Sequence, residues 1–138
     1  MDGLSWLYVP DKKTPFFRMG YYSNIAPPMA PSGQSATYLE VAYREKPDNN
    51  TLLERCLDAL GSMGILQSAE DVLDISIHDI PCAYVLYDAE YKQARGNVLA
   101  YLRDQDIFSI GRYGSWEYCD MEDSFLHAKE VASFLLRA

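Results

Sequence analysis

Three prolines and a glycine crowd one stretch of the chain, residues 23–35, where Pro27, Pro28, Pro31 and Gly33 stand among small side chains. Proline lacks the amide that a ladder needs and clashes with the preceding helical turn, so neither kind of element is expected to run through it. An ordered loop of about 12 residues is expected instead, and loops that long often carry function. The break also sorts the β-prone segments around it. Upstream, the apolar runs 4–9 and 14–22 are joined by Pro10-Asp11-Lys12-Lys13, which reads as a hairpin. Downstream, residues 36–45 are rich in strand formers (Thr37, Tyr38, Leu39, Val41, Tyr43) and predict a third strand.

Beyond Pro47 the pattern turns helical. Thr51 followed by Glu54 reads as a capping box, and Leu52, Leu53, Cys56, Leu57, Leu60 and Met63 share one helical face that ends at Gly61 and Gly64. Ser68-Ala69-Glu70-Asp71 reads as a turn or short helical cap. Leu73, Ile75 and Ile77 alternate with Asp74, Ser76 and His78, which predicts a half-buried strand. A break at Ile80-Pro81 precedes a short strand over 83–87 and a helix over 89–104 carrying Ala94, Val98, Leu99 and Leu102. A short strand over 107–110 ends at Gly111. Met121, Phe125, Ala128, Val131, Ala132 and Leu135 define a last helix capped by Asp120. Strands in adjacent runs, without strict βαβ alternation, predict an α+β fold: a mixed, largely antiparallel sheet with about three helices, in a single domain over 1–138.

Charge narrows the partners. Twenty acidic against twelve basic residues give a net charge of -8. A polyphosphate or anionic membrane surface calls for a basic stripe, so neither nucleic acid nor membrane is an expected partner. No apolar run approaches the roughly 20 residues that span a bilayer, and residues 1–10 do not read as a signal peptide. Cys56, Cys82 and Cys119 are odd in number and widely spaced, which argues against zinc and for reduced thiols in a cytoplasmic protein.

The chemistry-bearing stretch runs Ile107-Phe108-Ser109-Ile110-Gly111-Arg112-Tyr113-Gly114-Ser115-Trp116-Glu117-Tyr118-Cys119-Asp120-Met121-Glu122-Asp123. Gly111 and Gly114 let backbone approach a ligand closely, since no Cβ intervenes. The amides after Asp120 sit at the positive end of a helix, and Arg112 adds a cation, so together they offer a place for negative charge. On the pattern alone, a surface turn followed by a capped helix with no ligand is the better reading. Nucleophilic catalysis has little to work with: His78 lies in the polar phase of its strand, and His127 on the polar, solvated side of its helix. A Cys119/His pair or a Glu117/Asp120 carboxylate pair are the alternatives, the second better read as a helix cap.

That string resembles the C-terminal flavin motif of UDP-galactopyranose mutases and related amine-oxidase-like flavoproteins, in which a "GR(L/Y)…Y…DM" segment leads into the helix beneath the isoalloxazine. Ile80-Pro81-Cys82-Ala83-Tyr84-Val85-Leu86-Tyr87-Asp88 is similar to the "IPxAYxxYD" segment of NAD(P)/FAD-dependent oxidoreductases in that group. Phe16-Phe17-Arg18-Met19-Gly20-Tyr21-Tyr22-Ser23-Asn24 is similar to their substrate-domain hairpin. The resemblance covers nearly the whole chain. It implies an FAD cofactor contacted by Gly111, Arg112, Tyr113, Gly114, Asp120, Met121 and Glu122, Arg112 reaching the flavin or its pyrophosphate and the Asp120-Met121-Glu122 backbone facing the pyrimidine. It also implies a small-molecule substrate near Tyr84, Tyr87 and residues 23–35. For Tyr113, Trp116 and Tyr118, stacking on a ligand and packing in the core both remain open.

No GxGxxG follows a strand, so the dinucleotide-binding half of such an enzyme is expected to be a missing N-terminal partner, in an excised domain or a truncated reading frame. Alone, the chain is expected to hold FAD weakly or not at all. The alternative is a stand-alone, non-catalytic α+β interaction module.

Overall fold

The structure, a computed structural model, describes residues 3–137. Three strands and five helices alternate along them: β1 (Trp6–Tyr8), β2 (Arg18–Tyr21), α1 (Tyr22–Ile25), β3 (Thr37–Glu40), α2 (Asn49–Ser62), α3 (Tyr91–Asp104), α4 (Gly111–Gly114) and α5 (Met121–Leu135), with single 3-10 turns at Pro27–Met29 and Ala69–Asp71. The fold is α+β. Three of the helices are long, and the sheet β1-β2-β3 is antiparallel throughout. The chain divides into two units, one running up to His78 and one beginning at Asp79. No change of composition announces that division.

In the first unit the register sorts the side chains. Leu7, Met19 and Leu39 stand side by side on one face, while Tyr8, Arg18 and Glu40 form a row on the other. The inner face meets α2, so that Phe16, Met19, Tyr21 and Cys56 are buried among Leu4, Leu39, Leu52, Leu60 and Ile65. Burying side chains of this size contributes about 1.5–3 kcal/mol each. On the outer face Arg18 pairs with Glu40. Its guanidinium is held more basic than usual, first by a bond to Tyr8 and then by the nearby Glu40 charge.

Helix α2 begins two residues before Thr51. Asp48 is its cap, accepting from the Thr51 amide at 2.9 Å and from the Thr51 hydroxyl at 3.0 Å, in place of the expected Thr51/Glu54 box. A carboxylate at Asp48 already serves the third amide, so the helix gains its first turn there. Gly64 closes it with φ +69°, a conformation open to glycine.

Residues 23–35 are not wholly irregular. Tyr22–Ile25 makes one helical turn, and Pro27–Met29 a 3-10 turn that tolerates proline at its first positions. The expected strands at 73–77, 83–87 and 107–110 are absent from the described residues. Segment 83–87 shows why: its backbone and side chains are tied to Arg112 and Tyr118 instead of to a partner strand.

Helix α5 is turned against expectation. Ser124, His127, Val131 and Ser133 are its half-buried positions, while Met121 and Phe125, of the predicted apolar stripe, are 81% and 77% exposed. Ser124 and His127 face inward because they bond α4 and the loop before α5. No helix of the described residues is long and apolar enough to cross a membrane.

Candidate functional site

The second unit holds all of Gly111, Arg112, Tyr113, Gly114, Asp120, Met121 and Glu122, and with them Tyr84 and Tyr87; residues 23–35 belong to the first unit. Gly111-Arg112-Tyr113-Gly114 forms α4, a single helical turn where a hairpin-like turn was expected. Gly111 enters it at φ +75°, a left-handed conformation that a Cβ would strain. Gly114 is needed for closeness: a Cβ there would lie 3.0 Å from the Ser109 Oγ and 3.3 Å from the Ser109 carbonyl carbon. The same Ser109 hydroxyl donates to the Gly114 carbonyl at 2.9 Å.

Arg112 is the hub. Its guanidinium donates to the carbonyl of Ala83 at 2.9 Å and to that of Cys119 at 3.4 Å. It also lies 5.1 Å from the ring centroid of Tyr84 and 4.9 Å from that of Tyr118. Those two rings are near parallel, 6.0 Å apart and inclined by 12°. Planarity allows one guanidinium to satisfy two carbonyls in its plane while its face meets aromatic rings, which an ammonium could not do. The structure therefore joins Arg112 and Tyr84, residues singled out for different roles, in one half-open platform. Tyr118 completes it.

Tyr87 accepts the amide of Tyr118 on its hydroxyl at 2.7 Å and meets Tyr91 edge-on at 4.6 Å. Tyr91 in turn donates to the carbonyl of Trp116 at 2.6 Å. Arg95 donates to the carbonyl of Ser115 and pairs with Glu117 at 3.0 Å. Trp116 sits between these anchors at φ +48°, a strained conformation for a bulky residue that the surrounding bonds hold. Tyr113 and Trp116 are both exposed.

Asp120 caps α5, accepting from the Asp123 amide at 3.0 Å, while the Asp123 carboxylate accepts from the Asp120 amide at 3.0 Å. That reciprocal box, with Glu122 beside it in the first turn, sets three carboxylates at the positive end of α5. They offset the helix dipole and lower its appetite for a fully charged ligand. The amides of Met121 and Glu122 have no intrahelical partner by construction, and both residues are exposed.

Three of the residues that shape this site escaped sequence reasoning. Tyr91 and Arg95 stand one helical turn apart on α3, a polar stripe whose target lies about 20 residues on and carries no local signal. His127 is half-buried rather than solvated: its Nδ1 accepts from the Gly111 amide at 3.4 Å and its Nε2 lies 3.7 Å from Glu117. Cys119 is buried beside Ser124, its Sγ 3.8 Å from the serine hydroxyl, and His78 lies in the other unit. Among the described residues no group of histidine, cysteine and carboxylate side chains could hold a metal ion.

No protein-family model matches the chain. Among solved structures, it is similar over 97% of its length to a UDP-galactopyranose mutase solved in its reduced form, at 28% identity and a TM-score of 0.78. The chain spans 29% of the length of that mutase. The likeness is thus to one part of a larger protein, in sequence as well as in fold, and it supports the relationship to UDP-galactopyranose mutase-like flavoproteins on which the Gly111-to-Met121 motif drew.

Proposed function

We propose that this chain is the substrate- and flavin-contacting portion of an FAD-dependent oxidoreductase of the amine-oxidase-like, NAD(P)/FAD-dependent superfamily, completed by a dinucleotide-binding half. The observation that carries this reading is the match of 97% of the chain to 29% of a UDP-galactopyranose mutase. Two features of the second unit support it. The outward apolar side of α5, with Met121, Phe125 and Leu136 each more than three-quarters exposed, is the kind of face that a neighbouring domain covers. The start of α5 offers free amides at Met121 and Glu122 without net positive charge, which fits the neutral, hydrogen-bonding edge of a flavin pyrimidine better than its pyrophosphate.

In this reading the left-handed Gly111 and the close packing of Gly114 on Ser109 set the α4 backbone where the ring system would approach. Arg112 holds Tyr84 and Tyr118 as a near-parallel pair and keeps a cation beside that surface. When bound, FAD would supply the electron transfer through its own isoalloxazine ring. Tyr84 is proposed to face a small-molecule substrate. Tyr87 supports that surface from behind, since its hydroxyl is committed to the Tyr118 amide. Three unpaired cysteines fit a reducing, cytoplasmic setting.

Expression of the chain together with its dinucleotide-binding half tests the reading. Flavin absorbance near ~450 nm is expected, with flavin content falling in Arg112→Ala. A colourless parent with no dinucleotide motif would sink the proposal and leave α5 as the partner surface of a stand-alone module.

A further inference from the structure

The two oxygens of the Glu117 carboxylate face different helices. Oε2 pairs with the guanidinium of Arg95 on α3 at 3.0 Å, and Oε1 lies 3.7 Å from Nε2 of His127 on α5. Arg95 also donates its Nε–H to the carbonyl of Ser115, and the Gly111 amide donates to Nδ1 of His127 at 3.4 Å. A ring nitrogen that accepts carries no proton, so neutral His127 bears its proton on Nε2, the nitrogen that faces Glu117. One half-buried carboxylate thus stands between Arg95 of α3, with which it pairs, and His127 of α5, which accepts from the start of α4. Glu117 immediately precedes Tyr118, and its amide donates to the carbonyl of Arg112 at 3.2 Å.

We propose that Glu117 is a positioning residue which, with Arg95 and His127, sets the placement of Arg112 against Tyr84 and Tyr118. Its importance for flavin or substrate rests on the function proposed above, but the clamp itself is a property of this chain without any ligand. The three side chains act through the backbone on either side of the platform: Arg95 through Ser115, His127 through Gly111, and Glu117 through its own place in the chain. Because His127 is a link in the clamp, the platform responds to its protonation. A proton on Nδ1 sets donor against donor at the Gly111 amide, so that bond is lost while attraction to Glu117 grows. The charged and titratable groups around the imidazole are Glu117 with Arg95 behind it, and Asp123 and Glu130 one turn away on α5. Asp123 is held by the Asp120 amide, and Arg112 of α4 is turned to Ala83 and Cys119.

The test is NMR of the whole chain without flavin, following the Gly111 amide, the Arg112 Nε–H and the ring protons of Tyr84 and Tyr118. Glu117→Ala is expected to shift the Arg112 and Tyr118 signals while the Phe16 and Met19 signals of the first unit stay in place. In the wild type, lowering the pH should move the Gly111 and Arg112 signals together. His127→Gln, whose amide can accept from Gly111 and donate to Glu117, should keep the neutral-pH positions and abolish the movement. Arg112 and Tyr118 signals unchanged in Glu117→Ala, or a pH response that persists in His127→Gln, would overturn the proposal. Should Glu117→Ala fail to fold, Arg95→Gln carries the same expectation, since glutamine can still reach the Ser115 carbonyl but cannot pair with Glu117. A parent protein that binds no flavin leaves these shifts as they are, so the clamp and the flavin reading fail separately.

Discussion

The guanidinium of Arg112 lies 4.9 Å from the centroid of the Tyr118 ring and donates to the carbonyl of the very next residue, Cys119. Face and edge of one side chain are therefore used on adjacent residues, while the other amino group reaches Ala83. Lysine has no plane to stack and no fork to bridge two carbonyls. Arg112→Lys is expected to cost the second unit about 1 kcal/mol despite preserving charge, read as faster amide exchange in α4 and at Tyr118. Equal exchange rates in the variant would show that the charge alone matters.

Gly20 and Tyr38 face each other across β2 and β3, and a Cβ on Gly20 would lie 2.5 Å from the Cζ of the Tyr38 ring and 2.6 Å from its hydroxyl. The ring is also braced by Tyr22 at 4.7 Å and by Arg18 at 5.9 Å, so it cannot swing away freely. Gly20→Ala should destabilise the first unit by about 1–3 kcal/mol in urea unfolding. In a Tyr38→Ala background the same change should cost much less, and additive costs would refute the close contact.

The hydroxyl of Tyr21 is buried with no hydrogen-bond partner among the described residues, and burial raises its pKa. A buried hydroxyl without a partner costs about 1–3 kcal/mol of desolvation. Tyr21→Phe removes that cost and keeps the ring, so the variant should unfold at higher urea than the wild type. A loss of stability would reveal a partner for the hydroxyl.

The carboxyl of Asp48 is held below its ordinary range, first by the Thr51 amide and then by the Thr51 hydroxyl. A folded-state value below the unfolded one means that the cap stabilises α2 fully above the ordinary carboxyl range. It is lost as pH falls through the lower, folded value. Asp48→Asn keeps an oxygen acceptor but has no proton to take up. Protection factors at the start of α2, corrected for the intrinsic pH dependence of exchange, should therefore fall in acid in the wild type and stay level in the variant.

Of the three free cysteines, Cys82 is exposed whereas Cys56 and Cys119 are buried. Burial also pushes the Cys56 thiol up, away from the reactive thiolate. Brief alkylation of the native chain should modify Cys82 alone, as read by peptide mass, with Cys56 and Cys119 reacting only in denaturant. Rapid labelling at Cys56 would contradict the packing of α2 on the sheet.

What a single sequence settles here is whatever depends on near neighbours. Proline spacing, alternation and helical periodicity are local properties, so the hairpin, β3, α2, α3 and α5 could all be placed, along with the Asp120 cap and the Ser68 turn. The Gly111-Arg112-Tyr113-Gly114 string, too, reads as a glycine-bracketed turn, and the structure makes it a helical turn packed on Ser109. Only the folded molecule decided which way α5 faces, because an apolar stripe records a preference for burial and not what is available to bury it. Strands at 83–87 and 107–110 failed for a related reason: extended residues become a strand only when another strand lies alongside, and here the Ala83 carbonyl goes to Arg112 instead. The meeting of Arg95, Glu117, His127 and Gly111 was equally beyond reach. Each residue is unremarkable in its own segment, and the carboxylate acquires its role from three elements converging on it.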